Sequence, residues 1–134
     1  LLIEPQIAML AATRATNEEI EKIGDIVEKM KNINYLSSDR VELDMHFHTM
    51  IAKCSKNPVF INLVPVIFET IEKGIIILFN SEESYNRSLR AHEEIYNALK
   101  QKDICRIQSA VSAHIYNSLD DIKHIKRNQD DTYN

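Results

Sequence analysis

The stretch VELDMHFHTMIAKCSKN, residues 41–57, has the apolar spacing of a core-facing helix, yet its inner face carries polar groups. Asp44 and His48 are four residues apart, so their side chains lie one above the other on the same helical face. Val41 and Ile51 share that face. A carboxylate among apolar groups is costly unless a partner satisfies its charge. Either His48 alone is this partner, or both side chains bind a third group.

The composition predicts that the helix belongs to an all-α domain. The 134 residues include only two glycines and three prolines, and they are rich in residues that favour helices. This length fits one domain, residues 1–134, that can bury a core without disulfides. The first residue is Leu1 rather than methionine and apolar-rich sequence begins at once, so we expect a piece of a longer protein.

The charge and the cysteines restrict the class of protein. The net charge of −4 argues against nucleic-acid binding by this domain itself, since that requires a basic surface. Cys54 and Cys105 form no CxxC pattern and are interpreted as free buried thiols in a reducing cytoplasm. The sequence has no signal peptide, and its apolar runs are too short and interrupted to span a membrane. These features predict a cytoplasmic domain without membrane contact.

Six helices joined by short loops are predicted, which is the pattern of an antiparallel bundle. A Thr16–Glu19 capping box opens the second helix, Ser37 or Ser38 caps the third, and Asp103 caps the sixth. The predicted helices are 3–14, 16–31, 38–55, 58–80, 81–102 and 104–127. We expect residues 128–134 to be frayed.

Two further histidines are placed by the hairpin of the last two helices. His92 lies eleven residues before Asp103, and His114 lies eleven residues after it. If the helices are antiparallel, both imidazoles lie at the same height, about 16 Å from the turn. Both also share a helical face with apolar residues. We therefore expect these two side chains to point into the core together.

Asp44, His48, His92 and His114 together have the chemistry of a metal site. Imidazole and carboxylate suit a divalent transition metal, with zinc first and nickel or manganese as alternatives. An i, i+4 pair on one helix supplies two ligands from a rigid element. The alternative is that each histidine is a hydrogen-bonded core residue. His46 is predicted to face outward and His124 to be solvated near the C-terminal end of the last helix.

Four segments of the chain form a recognisable series: EPQIAMLAATRAT (4–16), LDMHFHTMIAKCSKN (43–57), AHEEIYNALKQKD (91–103) and AVSAHIYNSL (110–119). In these segments and in their order the chain resembles a known family, the FCD domains of GntR transcription regulators. The resemblance implies a bundle of six or seven antiparallel helices. It also implies that the same aspartate and three histidines bind a divalent metal.

The family resemblance implies a function as well. Such domains bind a small organic acid whose carboxylate reaches the metal, and binding changes the spacing of two winged helix-turn-helix domains in a dimer. DNA binding would then belong to an N-terminal domain absent from these residues. The resemblance further suggests that Arg14 pairs with the acid. A structural ion pair is the alternative for Arg14, and a helix cap is the alternative for Asn57, the other candidate effector contact.

The prediction is therefore a regulatory domain and not an enzyme. The alternative function is a metalloenzyme that activates water at the Asp/His3 site. Glu93 and Glu94 adjoin His92 but point elsewhere on an ideal helix, so a general base is missing. A third possibility is a metal that only stabilises the fold. A homodimer is predicted because the apolar segment 66–79 offers more surface than a small bundle covers, unless it is simply the central helix.

Overall fold

The computed structural model describes residues 3–78 and 81–132 and has six helices within these ranges. They are α1 (Ile3–Arg14), α2 (Asn17–Asn32), α3 (Asp39–Cys54), α4 (Pro58–Leu78), α5 (Glu82–Gln101) and α6 (Ile104–Thr132). No strand occurs in the described ranges, and the predicted all-α fold is confirmed. Residues 79 and 80, predicted to end the fourth helix, lie outside the described residues, as do residues 133 and 134.

The C-terminal segment differs from its prediction. Residues 128–132 continue α6 as helix rather than fraying. Between Ile104 and Thr132 there is no glycine or proline to interrupt the backbone hydrogen bonds, so the helix continues past its apolar face. The Thr132 hydroxyl donates to the Asn128 carbonyl within this last turn at 2.6 Å. The polar composition of this segment therefore indicates that it is exposed to solvent, and it does not indicate that the helix has ended.

The helix starts follow the capping predictions. The Thr16 hydroxyl accepts from the Glu19 backbone N–H at 3.2 Å, and the Glu19 carboxylate accepts from the Thr16 N–H at 2.9 Å. At the start of α3 the Ser37 hydroxyl accepts from the Asp39 N–H, whereas the Ser38 side chain makes no capping hydrogen bond. The Asp103 carboxylate accepts from the Arg106 N–H at 3.1 Å. These caps fix where α2, α3 and α6 begin.

The core forms where α1 meets α3, α5 and α6. Ala8, Ala11 and Ala12 of α1 are buried, and their small side chains let the neighbouring helices approach closely. The largest buried apolar side chains come from four other helices: Ile23, Met30, Phe47, Ile95, Leu99 and Ile107. The core is therefore built from α1 and the inner faces of α2, α3, α5 and α6.

Helix α4 lies at the periphery and not at the centre of the bundle. It contacts α3 and α6, and buries Val64 and Phe68. Its outer side exposes large apolar residues, including Val59 at 66%, Leu63 at 38% and Val66 at 58%. The central-helix interpretation of this apolar segment is thus not what the structure shows. Among the described residues, no helix has both the length and the hydropathy needed to cross a bilayer.

A tight turn joins α5 to α6 and sets their register. Lys102 adopts a left-handed backbone conformation with φ of 53° and ends α5, and Asp103 then caps α6. The Lys102 N–H donates to the Leu99 carbonyl, and the Asp103 N–H donates to the Ala98 carbonyl. This closure satisfies carbonyls at the end of α5 and sends the chain back antiparallel. It is the geometry that the equal spacing of the two histidines required.

Candidate metal and effector site

The predicted residues Asp44, His48, His92 and His114 meet in the interior of the bundle. His92 Nε2 lies 3.2 Å from His114 Nε2 and 3.3 Å from Asp44 Oδ1. His48 Nε2 lies 3.8 Å from the same Asp44 oxygen. All four side chains are buried, and His92 is inaccessible to solvent. The structure therefore brings together, from α3, α5 and α6, the set that the sequence predicted.

The distances among these atoms fit a shared metal ion. The ligand atoms of His48, His92 and His114 all lie within 4.8 Å of one another. Ligands that each bind an ion at about 2.1 Å are themselves about 3 to 4 Å apart in tetrahedral or octahedral arrangements. The separations of 3.2, 3.3 and 3.8 Å fall in this range. The donor set also has the composition that zinc, nickel and manganese accept.

Aromatic packing holds the imidazole rings in place. The Phe47 ring stacks on His92 with centroids 4.3 Å apart, and the Phe68 ring stacks on His48 at 4.8 Å. The rings of His48 and His114 are nearly parallel, 5.6 Å apart. Phe47 is fully buried, and its ring also makes an edge-to-face contact with the ring of His48. The rings are thus positioned by packing before any ligand binds, which reduces the cost of ordering them.

Glu4 is a site residue that sequence reasoning missed. Its Oε2 lies 3.4 Å from Nδ1 of His48, the ring nitrogen that faces away from Asp44. A carboxylate on the far nitrogen of a histidine ligand fixes the ring's tautomer and orientation and raises its basicity. The signal was present in the sequence: Glu4 precedes buried Ile7 and Ala8 by three and four residues, so it shares their inward face.

Burial and mutual charge set the protonation of the cluster. Burial raises the pKa of the Asp44 carboxyl to about 6, with His48 opposing the rise and Glu4 adding to it. Burial lowers the pKa of His114 to about 3, and repulsion from His48 contributes. Burial and the two neighbouring imidazoles lower the pKa of His92 well below its ordinary value. His92 and His114 are therefore neutral, which is the form that binds a metal.

His48 and Glu4 behave differently because they face each other. Burial acts to lower the pKa of His48, but attraction to Glu4 and its hydrogen bond outweigh burial and raise it. Burial likewise acts to raise the pKa of Glu4, and His48 reverses the direction. The pair therefore favours a proton on Nδ1 of His48, between the ring and Glu4. That arrangement leaves Nε2 facing the cluster.

A cavity of about 380 Å³ opens beside the cluster. Glu4, Asp44, His48 and His114 line one end of it. The rest of its wall comes from Ile3, Ile67, Phe68, Ile71, Gly74, Ser88, Ile115, Ser118, Leu119 and Ile122. This volume is at the lower end of the range for small-molecule sites. The cavity is bounded by helices α1, α3, α4, α5 and α6, so a bound molecule would touch five of the six helices.

Arg14 and Asn57, the predicted effector contacts, are placed at helix ends. Nη1 of Arg14 donates to the Ser55 carbonyl at 2.9 Å, at the C-terminal end of α3. The Asn57 side-chain oxygen accepts from the Val59 N–H at 2.9 Å, at the start of α4. Neither is among the residues that line the 380 Å³ cavity. Their predicted contact with an effector remains a prediction, and the local geometry gives each a structural role.

The two remaining histidines and the two glutamates beside His92 lie where they were expected, whereas Cys105 lies on the outer side of α6 and is exposed rather than buried. His46 is exposed on α3, and His124 is exposed and pairs with Asp120 at 3.4 Å. Glu93 pairs with Lys31 at 2.8 Å, and Glu94 pairs with Arg106. Both glutamates thus face away from the cluster, as the helical geometry predicted.

Comparison with known proteins identifies relatives of the chain. The family described as FCD domain matches residues 1–117. The HTH-type transcriptional regulator LutR of Bacillus subtilis (strain 168) is 31% identical over 121 residues, covering 87% of this chain and 55% of that protein. The Glc operon transcriptional activator of Escherichia coli (strain K12) is 28% identical over 125 residues, covering 85% and 48% respectively. The chain spans about half the length of the curated relatives it matches.

Solved structures agree with the sequence relatives. Streptococcus agalactiae GntR superposes with a TM-score of 0.75 at 32% identity, covering 88% of this chain and 53% of that one. E. coli McbR/YncC superposes with a TM-score of 0.77, covering 91% and 59%. Its identity of 13% makes it evidence for the fold alone.

Proposed function

Because this chain belongs to the FCD-domain family of GntR-type transcription regulators, we propose that it is a metal-dependent sensor of small carboxylic acids. The observation that carries the proposal is the convergence of Asp44, His48, His92 and His114 beside a cavity. A divalent ion bound there would supply positive charge for an anionic ligand. The four side chains would hold it, with zinc preferred and nickel or manganese as alternatives.

The protein groups around the ion have separate tasks in this proposal. Asp44 supplies the negative charge, and the three imidazoles bind as neutral ligands. Glu4 holds the proton of His48 on Nδ1 and so presents Nε2 to the ion. Phe47 and Phe68 stack on His92 and His48 and fix the planes of these rings. The acid would enter from the cavity and could bind the ion directly if the ion is five- or six-coordinate, since four protein ligands then leave a position for its carboxylate.

The binding of an acid would be communicated through helix packing. The cavity wall includes residues of α1, α3, α4, α5 and α6, so a ligand that bridges them changes their relative positions. A coupling of about 1–3 kcal/mol between two orientations is enough for regulation. In the proposed parent protein this shift repositions N-terminal winged helix-turn-helix domains, which carry the DNA binding in the cytoplasm. Residues 1–134 would be the effector-binding and dimerisation domain.

The dimer is proposed from the outer side of α4. Val59, Leu63 and Val66 are spaced by four and three residues and form one exposed apolar stripe. A stripe of this kind is typical of a surface that another protein covers. A second copy of the chain is the occupant that the proposed function requires, since two DNA-binding domains must be held together.

The enzyme alternative is less well supported. Glu4 is the carboxylate of the cavity that lies outside the predicted ligand set, and it faces His48 rather than the open space. Its lowered pKa makes it a weak base. The named relatives are transcription regulators. Glu4 therefore fits the role of orienting His48 better than that of activating water.

The test is acid binding measured by calorimetry on the metal-free and metal-loaded chain. The proposal expects a small carboxylic acid to bind only when metal is present. It also expects Asp44→Asn to lower metal affinity and acid affinity together. Glu42→Gln, an exposed change on the same helix, serves as the control. Equal acid binding with and without metal, or turnover of a hydrolase substrate, would overturn the proposal.

A further inference from the structure

The cavity beside the cluster is polar at one end and apolar along most of its length. Glu4, Asp44, His48 and His114 form the polar end. The longer wall carries the side chains of Ile67, Phe68, Ile71, Ile115, Leu119 and Ile122. Along α6, His114 and Ile122 are eight residues apart, or about 12 Å. A ligand anchored at the cluster would therefore extend its other end into apolar surroundings.

The described residues of the wall offer few partners for a second polar group. Among the described residues that line the cavity there is no lysine, arginine, asparagine or glutamine. Its two hydroxyls belong to Ser88 and Ser118, and the Ser118 hydroxyl already donates to the His114 carbonyl at 2.9 Å. A hydroxyl or carboxylate of a ligand that packs against these side chains would exchange hydrogen bonds to water for apolar contacts.

Charge leads to the same conclusion. Glu4 and Asp44 bring two negative charges, which a divalent ion would neutralise. A monocarboxylate then leaves the site with one net negative charge, and a dicarboxylate leaves it with two. The Arg87 guanidinium lies in the adjoining crevice between α5 and α6, where it pairs with Asp121 at 2.9 Å. The cavity thus disfavours a second carboxylate.

We propose that the effector is a monocarboxylic acid with a short apolar tail, rather than a sugar acid or a dicarboxylate. Its carboxylate lies at the Asp44/His48/His114 end, and its tail packs against Ile71, Leu119 and Ile122. The cavity volume of about 380 Å³ corresponds to about a dozen water volumes of about 30 Å³ each. A ligand of roughly ten non-hydrogen atoms fills that space. This inference rests on the proposed function and specifies its ligand.

The test uses the metal-loaded chain and a matched set of acids in calorimetry. The probes are acetate, butanoate, hexanoate and octanoate, with adipate and gluconate as polar competitors of similar size. Affinity is expected to rise about threefold to fourfold for each added methylene group until the cavity is full. Hexanoate should bind at least tenfold more tightly than adipate or gluconate. Gluconate or adipate binding more tightly than hexanoate, in a metal-dependent way, would overturn this inference and leave the proposed function intact.

A variant locates the tail. Leu119→Ser places a hydroxyl at a half-exposed wall position that the fold tolerates. We expect it to weaken hexanoate binding about tenfold and to leave acetate binding unchanged. Tyr116→Ser, at a position 71% exposed on the same helix, is the control and should change neither. An equal loss of hexanoate and acetate affinity in Leu119→Ser would contradict the tail position. Failure of every acid to bind the metal-loaded chain would overturn the proposed function itself.

Discussion

Nε2 of His92 lies 3.2 Å from Nε2 of His114, although the two residues are 22 positions apart in the sequence. Two imidazoles at this distance, both buried and both with lowered pKa, cannot both be charged. Both are instead neutral imidazoles whose Nε2 atoms face the same point, and Asp44 Oδ1 lies 3.3 Å from Nε2 of His92. This contact is the basis of the proposed metal site.

Glu4→Gln tests the role of the residue behind His48. A neutral amide cannot hold the proton on Nδ1 as a carboxylate does, so His48 becomes a weaker ligand. We expect metal affinity to fall about 10- to 100-fold, with the helical content of the domain retained. The measurement is competition with a chelator of known affinity. Glu42→Gln is the exposed control. An equal effect in both variants would contradict the role of Glu4 in orienting His48.

The pH dependence of metal binding follows from Asp44 and His48. The pKa of Asp44 is raised to about 6, and that of His48 is raised above its ordinary value. Lowering the pH therefore adds protons to both groups, and a metal ion must displace these protons to bind. His92 and His114 have lowered pKa values and add no protons in this range. Metal affinity should fall at least about tenfold between pH 7 and pH 5. Affinity that is flat across this range would show that neither group binds the metal.

Arg14→Lys separates two roles for that residue. The Arg14 guanidinium donates to the Ser55 carbonyl and joins α1 to the end of α3. We expect a loss of about 1 kcal/mol in the free energy of unfolding, because one partly buried hydrogen bond changes. Acid affinity should change less than twofold if this is its whole function. A loss of acid affinity well beyond that would establish the effector contact suggested by the family resemblance.

The outer stripe of α4 makes a testable interface. Leu63→Glu places a charge in the centre of the exposed stripe formed with Val59 and Val66. If that stripe joins two copies, analytical ultracentrifugation should show a dimer for the unchanged chain and a monomer for the variant. Leu36→Glu, at a residue 70% exposed outside the stripe, should leave the dimer intact. A monomer for the unchanged chain at high concentration would contradict the dimer proposal.

Much of the fold could be predicted from the sequence because capping residues determine where several helices begin. The Thr16–Glu19 box and the Asp103 cap both lie where their residue types place them. The end of α6 could not be read in the same way. Its last turn is polar on every side, and the absence of glycine and proline, not an apolar face, keeps it helical.

The site was predictable to the extent that its residues share helical faces. Asp44 and His48 are one helical turn apart, and the turn at Asp103 places His92 opposite His114. The spacing of Glu4 from Ile7 and Ala8 indicates that it faces inward, but its contact with His48 is a tertiary contact between α1 and α3 that no local spacing encodes. The position of α4 at the edge could not be predicted either, since a central helix and a helix covered by a partner have the same apolar sequence pattern.

Elemental analysis by mass spectrometry tests the central claim most directly. The chain would be purified without a metal-affinity tag or added metal, beside His92→Gln and the exposed control His46→Gln. Circular dichroism would confirm that each variant is folded. The account predicts about one equivalent of a divalent transition metal in the unchanged chain and in His46→Gln, and its loss in His92→Gln. Absence of metal from the unchanged chain, together with failure to take up zinc, nickel or manganese in solution, would contradict it.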